Sequence, residues 1–117
     1  MVKTWDELEA ICNRLAARLY DAPVDLTGVI DVATTLGFVT RELRRVIARE
    51  RAIYGPTKRL GAAEVGVDAV ERRLRWLRED GATAPEATIR VTVDKLLRLV
   101  VRVMGLIERQ HAHFHNA

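Results

Sequence analysis

Apolar positions recur at helical steps in four stretches of the chain, and short polar breaks separate the stretches. Leu8, Ile11, Leu15 and Leu19 follow at three- and four-residue intervals, the spacing that lines one face of an α-helix. Ahead of them, Thr4-Trp5-Asp6-Glu7 has the form of a capping box, and Asp21-Ala22-Pro23 stops the run. The pattern predicts a first helix over about 5–20.

The second stretch, residues 26–54, sets Val29, Ala33, Leu36, Thr40, Leu43, Ile47 and Tyr54 on one stripe. Val32, Val39, Val46 and Ile53 widen it, and Gly55-Pro56 ends it. Thr34-Thr35-Leu36-Gly37 has low helix propensity and is where a kink or a split into two helices would fall. In the third, Leu60, Ala63, Val67, Val70, Leu74 and Leu77 alternate steps of three and four up to Gly81, a bundle-type seam. Asp68 with Arg72, Glu71 with Arg75, and Arg75 with Glu79 stand at i,i+4 on its outside, where ion pairs along the helix are expected.

The fourth stretch opens on Thr83-Ala84-Pro85-Glu86, again with capping-box spacing, and Ile89, Val93, Leu96, Val100, Val103 and Ile107 form its seam. On a helical projection Arg90, Asp94, Lys95, Arg98, Arg102 and Arg109 fill an arc of roughly 140°. Most of the remainder is apolar across roughly 180°, wider than the ~100° that an ordinary surface helix buries. This helix therefore touches more than one neighbour, either as the central element of the monomer or as half of an oligomer interface.

Breaks this short favour antiparallel neighbours. The expected fold is all-α: an antiparallel helical bundle of about four helices, one short and three long, in a single domain spanning 1–117. A helix as long as the second would reach roughly 43 Å, which the first cannot cover. The simplest remedy is a homodimer, with Val93, Leu96, Leu97, Val100, Val103, Met104 and Ile107 as its interface.

Composition narrows the class. Hydrophobic residues are 49% and aromatics 5% of 117 residues, so the core is aliphatic and a disordered chain is excluded. One cysteine, Cys12, excludes an internal disulfide and CxxC motifs, and its place beside Ile11 on the apolar side predicts a buried thiol. No apolar run reaches the ~20 residues of a membrane span, and the start has no hydrophobic leader. A cytoplasmic protein with no membrane partner is expected. Lysine occurs only at Lys3, Lys58 and Lys95, the rest of the 19 basic residues being arginine. That preference is associated with GC-rich genomes, such as those of actinobacteria and their phages.

Net charge is +3, and residues 38–54 alone hold five arginines against two glutamates. Arg41, Arg45 and Arg49 are spaced by four and stack on one helix face, with Arg44 and Arg51 beside them. Glu42 reaches Arg45 at i+3, whereas Glu50 has Val46 and Tyr54 at i±4. Such a ridge meets an acidic protein surface or phosphates, or pairs with the acidic first helix across the bundle. Trp76 lies off its seam and is the candidate desolvated anchor of a docking surface.

Two resemblances carry alternatives. Val70 to Gly81 resembles the recognition helix of winged-helix repressors of the ArsR type, with Leu74 and Leu77 at the family's apolar positions and arginines between. The resemblance implies DNA binding through Arg72, Arg73 and Arg75 and a β-wing from Thr83 onward. The family's preceding Leu-Gly-apolar-Ser turn is replaced here by Ala63-Glu64-Val65-Gly66. At the other end, Arg109 and His115 are similar to the Arg-x(4–6)-His motif of HEPN ribonucleases, which implies a role in phosphodiester cleavage. His111 and His115 at i,i+4 have metal-chelating spacing on a continuous helix, although a frayed terminus is expected there. No nucleophile triad, paired-carboxylate motif or phosphate loop is present in the sequence, so no enzyme activity, cofactor, metal or small-molecule substrate is expected. The sequence thus points to a regulatory or adaptor module that docks on a macromolecule.

Overall fold

The computed structural model describes residues 5–21 and 26–115, the side chains at 5, 19–21, 26, 27 and 113–115 excepted. They form four helices: α1 (Trp5–Asp21), α2 (Leu26–Tyr54), α3 (Lys58–Asp80) and α4 (Glu86–His115), with a 3-10 turn at Gly81–Thr83. No strand occurs among the described residues. The architecture is the expected all-α antiparallel bundle, one helix of 17 residues beside three of 29, 23 and 30. Its extents are 47 × 23 × 23 Å, so the long axis is set by α2 and α4. No described helix is long and apolar enough to cross a membrane.

The stops follow from local chemistry. Gly55 ends α2 at φ 79°, a left-handed conformation that favours glycine, and its N–H donates to Arg51 O at 2.8 Å. Thr57 starts α3: extended at φ −131°, it accepts from Leu60 N at 3.2 Å and so satisfies one of the orphan N–H groups. Gly81 closes α3 for a different reason. Its φ is an ordinary −62°, but a Cβ there would lie 3.2 Å from Leu77 Cδ1 and 3.3 Å from Val29 Cγ1. The expected cap at Thr83 is a correction: its hydroxyl donates backward to Asp80 O at 3.2 Å, and Glu86 instead pairs with Arg90 at 3.2 Å. The first expected capping box begins at Thr4, outside the described residues. Helix α2 runs unbroken through Thr34–Gly37, because Leu36 and Val39, both 0% exposed, lock that turn to the core.

The periodic positions fill the interior. All six α3 seam residues and all six α4 seam residues are buried, as are Val29, Ala33, Leu36, Leu43 and Ile47 of α2. Each fully buried Leu or Val contributes about 1.5–3 kcal/mol relative to exposure. Thr40 joins them because its hydroxyl donates to Leu36 O at 2.6 Å, leaving no unpaired donor. Ile53 departs from the stripe: in the last turn of α2 it stands 62% exposed.

Helix α3 packs most closely against α4 and next against α2, while α1 is held more sparsely by α4 and α2. Gly66 permits the α3–α4 approach, since a Cβ there would sit 2.5 Å from Val103 Cγ2. Helix α4 therefore contacts all three other helices, which accounts for its wide apolar arc within one chain. The residues expected at a homodimer interface, Val93, Leu96, Leu97, Val100, Val103, Met104 and Ile107, all lie in the chain's own core, none above 8% exposure.

Candidate functional site

Helices α2 and α3 run side by side in opposite senses, and their contacts repeat in heptad steps. Gly37 lies under Arg78, Arg44 bonds Glu71, and Arg51 pairs with Glu64. Seven residues up one helix match seven down the other, the spacing at which facing helices keep register. At two of these rungs the sequence places an arginine on α2 and a glutamate on α3, and the charges meet.

Arg44 is the most engaged. Its Nε donates to Glu71 Oε1 at 2.6 Å, and its Nη2 donates to Glu71 Oε2 at 2.9 Å and to Asp68 Oδ1 at 2.6 Å. The hydrogen bonds from Arg44 hold the Glu71 carboxyl below the usual carboxylate range, and those two acids raise the guanidinium further above its own. The expected i,i+4 pairs of α3 give way to this arrangement: Asp68 and Glu71 turn to α2 rather than to Arg72 and Arg75. A fork facing two carboxylates gains more than an exposed pair along one helix.

The ridge stands apart. Arg41, Arg45 and Arg49 are exposed on α2, Arg41 on the side nearer α3. Arg45 reaches Glu42 at 3.5 Å, as its i+3 spacing predicts, while its side chain stays 71% exposed. Arg41 and Arg49 have no carboxylate partner among the described residues. Among the described residues none of the three pairs with α1, and Arg18 with Asp31, at 3.5 Å, is an ion pair that joins α1 to α2.

Between the Gly37 and Arg44 rungs a cleft of about 640 Å³ opens, with Thr34, Gly37, Arg41, Glu71, Arg75, Arg78 and Glu79 in its lining. Arg78 crosses the seam over Gly37, its Nη2 donating to Ala33 O at 3.4 Å; a Cβ on Gly37 would sit 2.7 Å from that nitrogen. Arg78 was not singled out by sequence reasoning. The signal was there, in a glycine one heptad below Arg44 that leaves room for a crossing side chain.

The other candidates are distributed. Trp76 is half-buried and leans on the core, so only part of its ring is free to anchor a partner. Arg72, Arg73 and Arg75 are all exposed on α3, and Arg75 also lines the cleft. The segment that a β-wing would occupy is helix α4, which removes the winged-helix geometry. Helix α4 continues through His115 rather than fraying, and the side chain of His115 lies outside the described residues. His111, its side chain 58% exposed, sets Nδ1 2.9 Å from Glu50 Oε1, and Glu50 is 4% exposed. That is the partner Glu50 lacks on its own helix. Nearby, Gln110 is 1% exposed and accepts from Thr57 Oγ1 at 2.9 Å. Cys12 is buried, and burial followed by the Glu9 charge raises its thiol above the ordinary range. No group of three His, Cys, Asp or Glu among the described residues has metal-holding geometry.

Compared with models of known protein families, with curated proteins and with solved structures, the chain matches none.

Proposed function

We propose that the protein is a non-enzymatic docking module, regulatory or adaptor in role, that holds an acidic protein surface against the exposed arginine ridge of α2. The observation that carries this reading is the contrast between two sets of arginines on one helix. Arg44 and Arg51 are spent on α3 carboxylates, whereas Arg41 and Arg49 have none and Arg45 keeps a long contact with Glu42. Three guanidiniums at four-residue spacing repel one another mildly, and an acidic partner relieves that repulsion. Attraction of this kind speeds encounter and weakens with salt. Trp76 adds a small apolar contact on α3. The reading needs no second copy of the chain, since the seven apolar residues of α4 are covered internally.

The test is capture from a lysate of the source organism by wild type and by the triple variant Arg41→Glu, Arg45→Glu, Arg49→Glu. An acidic protein that wild type retains, that elutes as salt rises and that the triple variant fails to hold supports the reading. Equal capture by both overturns it, and retention of duplex DNA in place of protein moves the ridge to nucleic-acid binding.

A further inference from the structure

Follow the α2–α3 seam rung by rung, and the charges are complementary except at one place. The Gly37 and Arg78 rung joins a guanidinium to a backbone carbonyl, and the Arg44 and Arg51 rungs join arginines to glutamates. Between Arg44 and Arg51, α2 offers the small Ala48 and α3 offers Asp68, which turns to Arg44. Between Gly37 and Arg44, α2 offers Arg41 and α3 offers Arg75, and both line the same cleft. Like charges that border one cleft repel each other, and the α3 carboxylates that share the lining, Glu71 and Glu79, offset this only in part. Glu71, one turn from Arg75, has both carboxylate oxygens on Arg44. Glu79 also lines the cleft, without an ion-pair partner among the described residues, and competes there for the guanidiniums.

We propose that this cleft is a binding site for a tetrahedral oxyanion of the phosphate class, held between Arg41 and Arg75 with Arg78 beneath it. A carboxylate brings one charge and two oxygens, for which Glu79 already supplies an equivalent. A phosphate brings nearly two charges and more oxygens than one guanidinium fork can occupy, so it can accept from three arginines at once. The Thr34 hydroxyl on the cleft wall is a further donor. Gly37 matters because the absent side chain lets Arg78 lie across the floor. The site goes beyond the docking reading and stands without it, because it binds free phosphate in the absence of any protein partner.

The experiment titrates the full chain with inorganic phosphate in a chloride buffer, by calorimetry and by thermal unfolding, against sodium chloride at matched ionic strength. Phosphate binds at one site per chain and raises the unfolding midpoint beyond the chloride control. Arg41→Gln and Arg75→Gln each weaken binding about tenfold, the loss expected for a charge-assisted contact. Glu79→Gln tightens it. Arg75→Glu raises the midpoint without phosphate, since a carboxylate then faces Arg41, and abolishes the phosphate response. A phosphoserine peptide titrated in parallel separates the sources: tighter binding of the peptide assigns the site to a phosphorylated side chain, and equal or weaker binding assigns it to free phosphate. A phosphate effect no larger than that of chloride overturns the proposal, and so does undiminished binding in the Arg41→Gln, Arg75→Gln double variant.

Discussion

Gly66 and Gly61 lie on the same helix and answer a methyl group in opposite ways. At Gly66 the new carbon would meet Val103 Cγ2 at 2.5 Å, and Val103 is 1% exposed with a stiff, β-branched side chain. Overpacking of that kind costs about 1–3 kcal/mol, more than the gain of about 1 kcal/mol in helix propensity. Gly61 has nothing within 4 Å of the same carbon, so only the propensity gain remains. Urea unfolding is expected to show Gly66→Ala destabilised by up to about 2 kcal/mol and Gly61→Ala stabilised by up to about 1 kcal/mol. Equal responses would place the α3–α4 approach elsewhere. In the sequence the two glycines look alike, softening the first half of α3. What separates them is the residue across the interface, which one helix's spacing does not reveal. Glu50 teaches the same lesson: its i±4 neighbours are apolar, and its partner His111 arrives from a helix sixty residues on.

Single elements were far more legible. Each break carries its own punctuation (Asp21-Ala22-Pro23, Gly55-Pro56-Thr57, Gly81), and the observed helices end within a residue or two of those marks. Ion pairing was less so, because an i,i+4 carboxylate on α3 is equally placed to reach a neighbouring helix, and the Arg44 fork wins Glu71 and Asp68. That network has a pH signature. Arg44 lowers the folded-state value of Glu71, so its stabilisation is whole above the ordinary carboxylate range and is lost as pH falls through the lowered value. The two side chains are 43% and 41% exposed, so screening holds the contribution to about 1 kcal/mol or less. Glu9 has the opposite sign. Loss of hydration, a hydrogen bond with Glu108 and the charges of Glu108 and Asp6 raise its carboxyl. Glu9 is itself exposed, so the contact between two carboxyls matters more than burial. The folded chain holds that proton more tightly than the unfolded one, so α1 docks better below the raised value and loses this support as pH rises through it. Midpoints measured from acid to neutral pH are expected to show a shallower acid loss in Arg44→Gln and a smaller decline toward neutrality in Glu9→Gln. Profiles that coincide with wild type would remove both assignments.

At the scale of the whole molecule, the apolar girth of α4 was read as a demand for more neighbours than a small bundle seemed able to supply. The demand is real, and α1, α2 and α3 meet it together. Periodicity reports how much of a helix is covered; it carries no information on whether the cover belongs to the same chain. Among the described residues the large hydrophobics that remain exposed are Ile30, Ile53, Val65, Val91 and Val101, spread over three helices, with Val91 and Val101 on one α4 cleft. The candidate site divides along the same line. The ridge was visible because it lies on one helix, whereas the cleft needed two helices in register before Arg41 and Arg75 could be seen to share it.

Sparse attachment gives α1 a separate fate from the rest of the bundle. A segment with few neighbours detaches at a lower free energy than the whole molecule unfolds, so α1 is expected to open while α2 to α4 remain assembled. Cys12 is on that segment, silent while docked, and regains ordinary thiol reactivity each time the flap swings out. Its alkylation rate is therefore a clock for the swing. In dilute urea that rate should barely change while amide exchange at Leu96 accelerates, and the two rising in parallel would mean that the molecule opens only all at once.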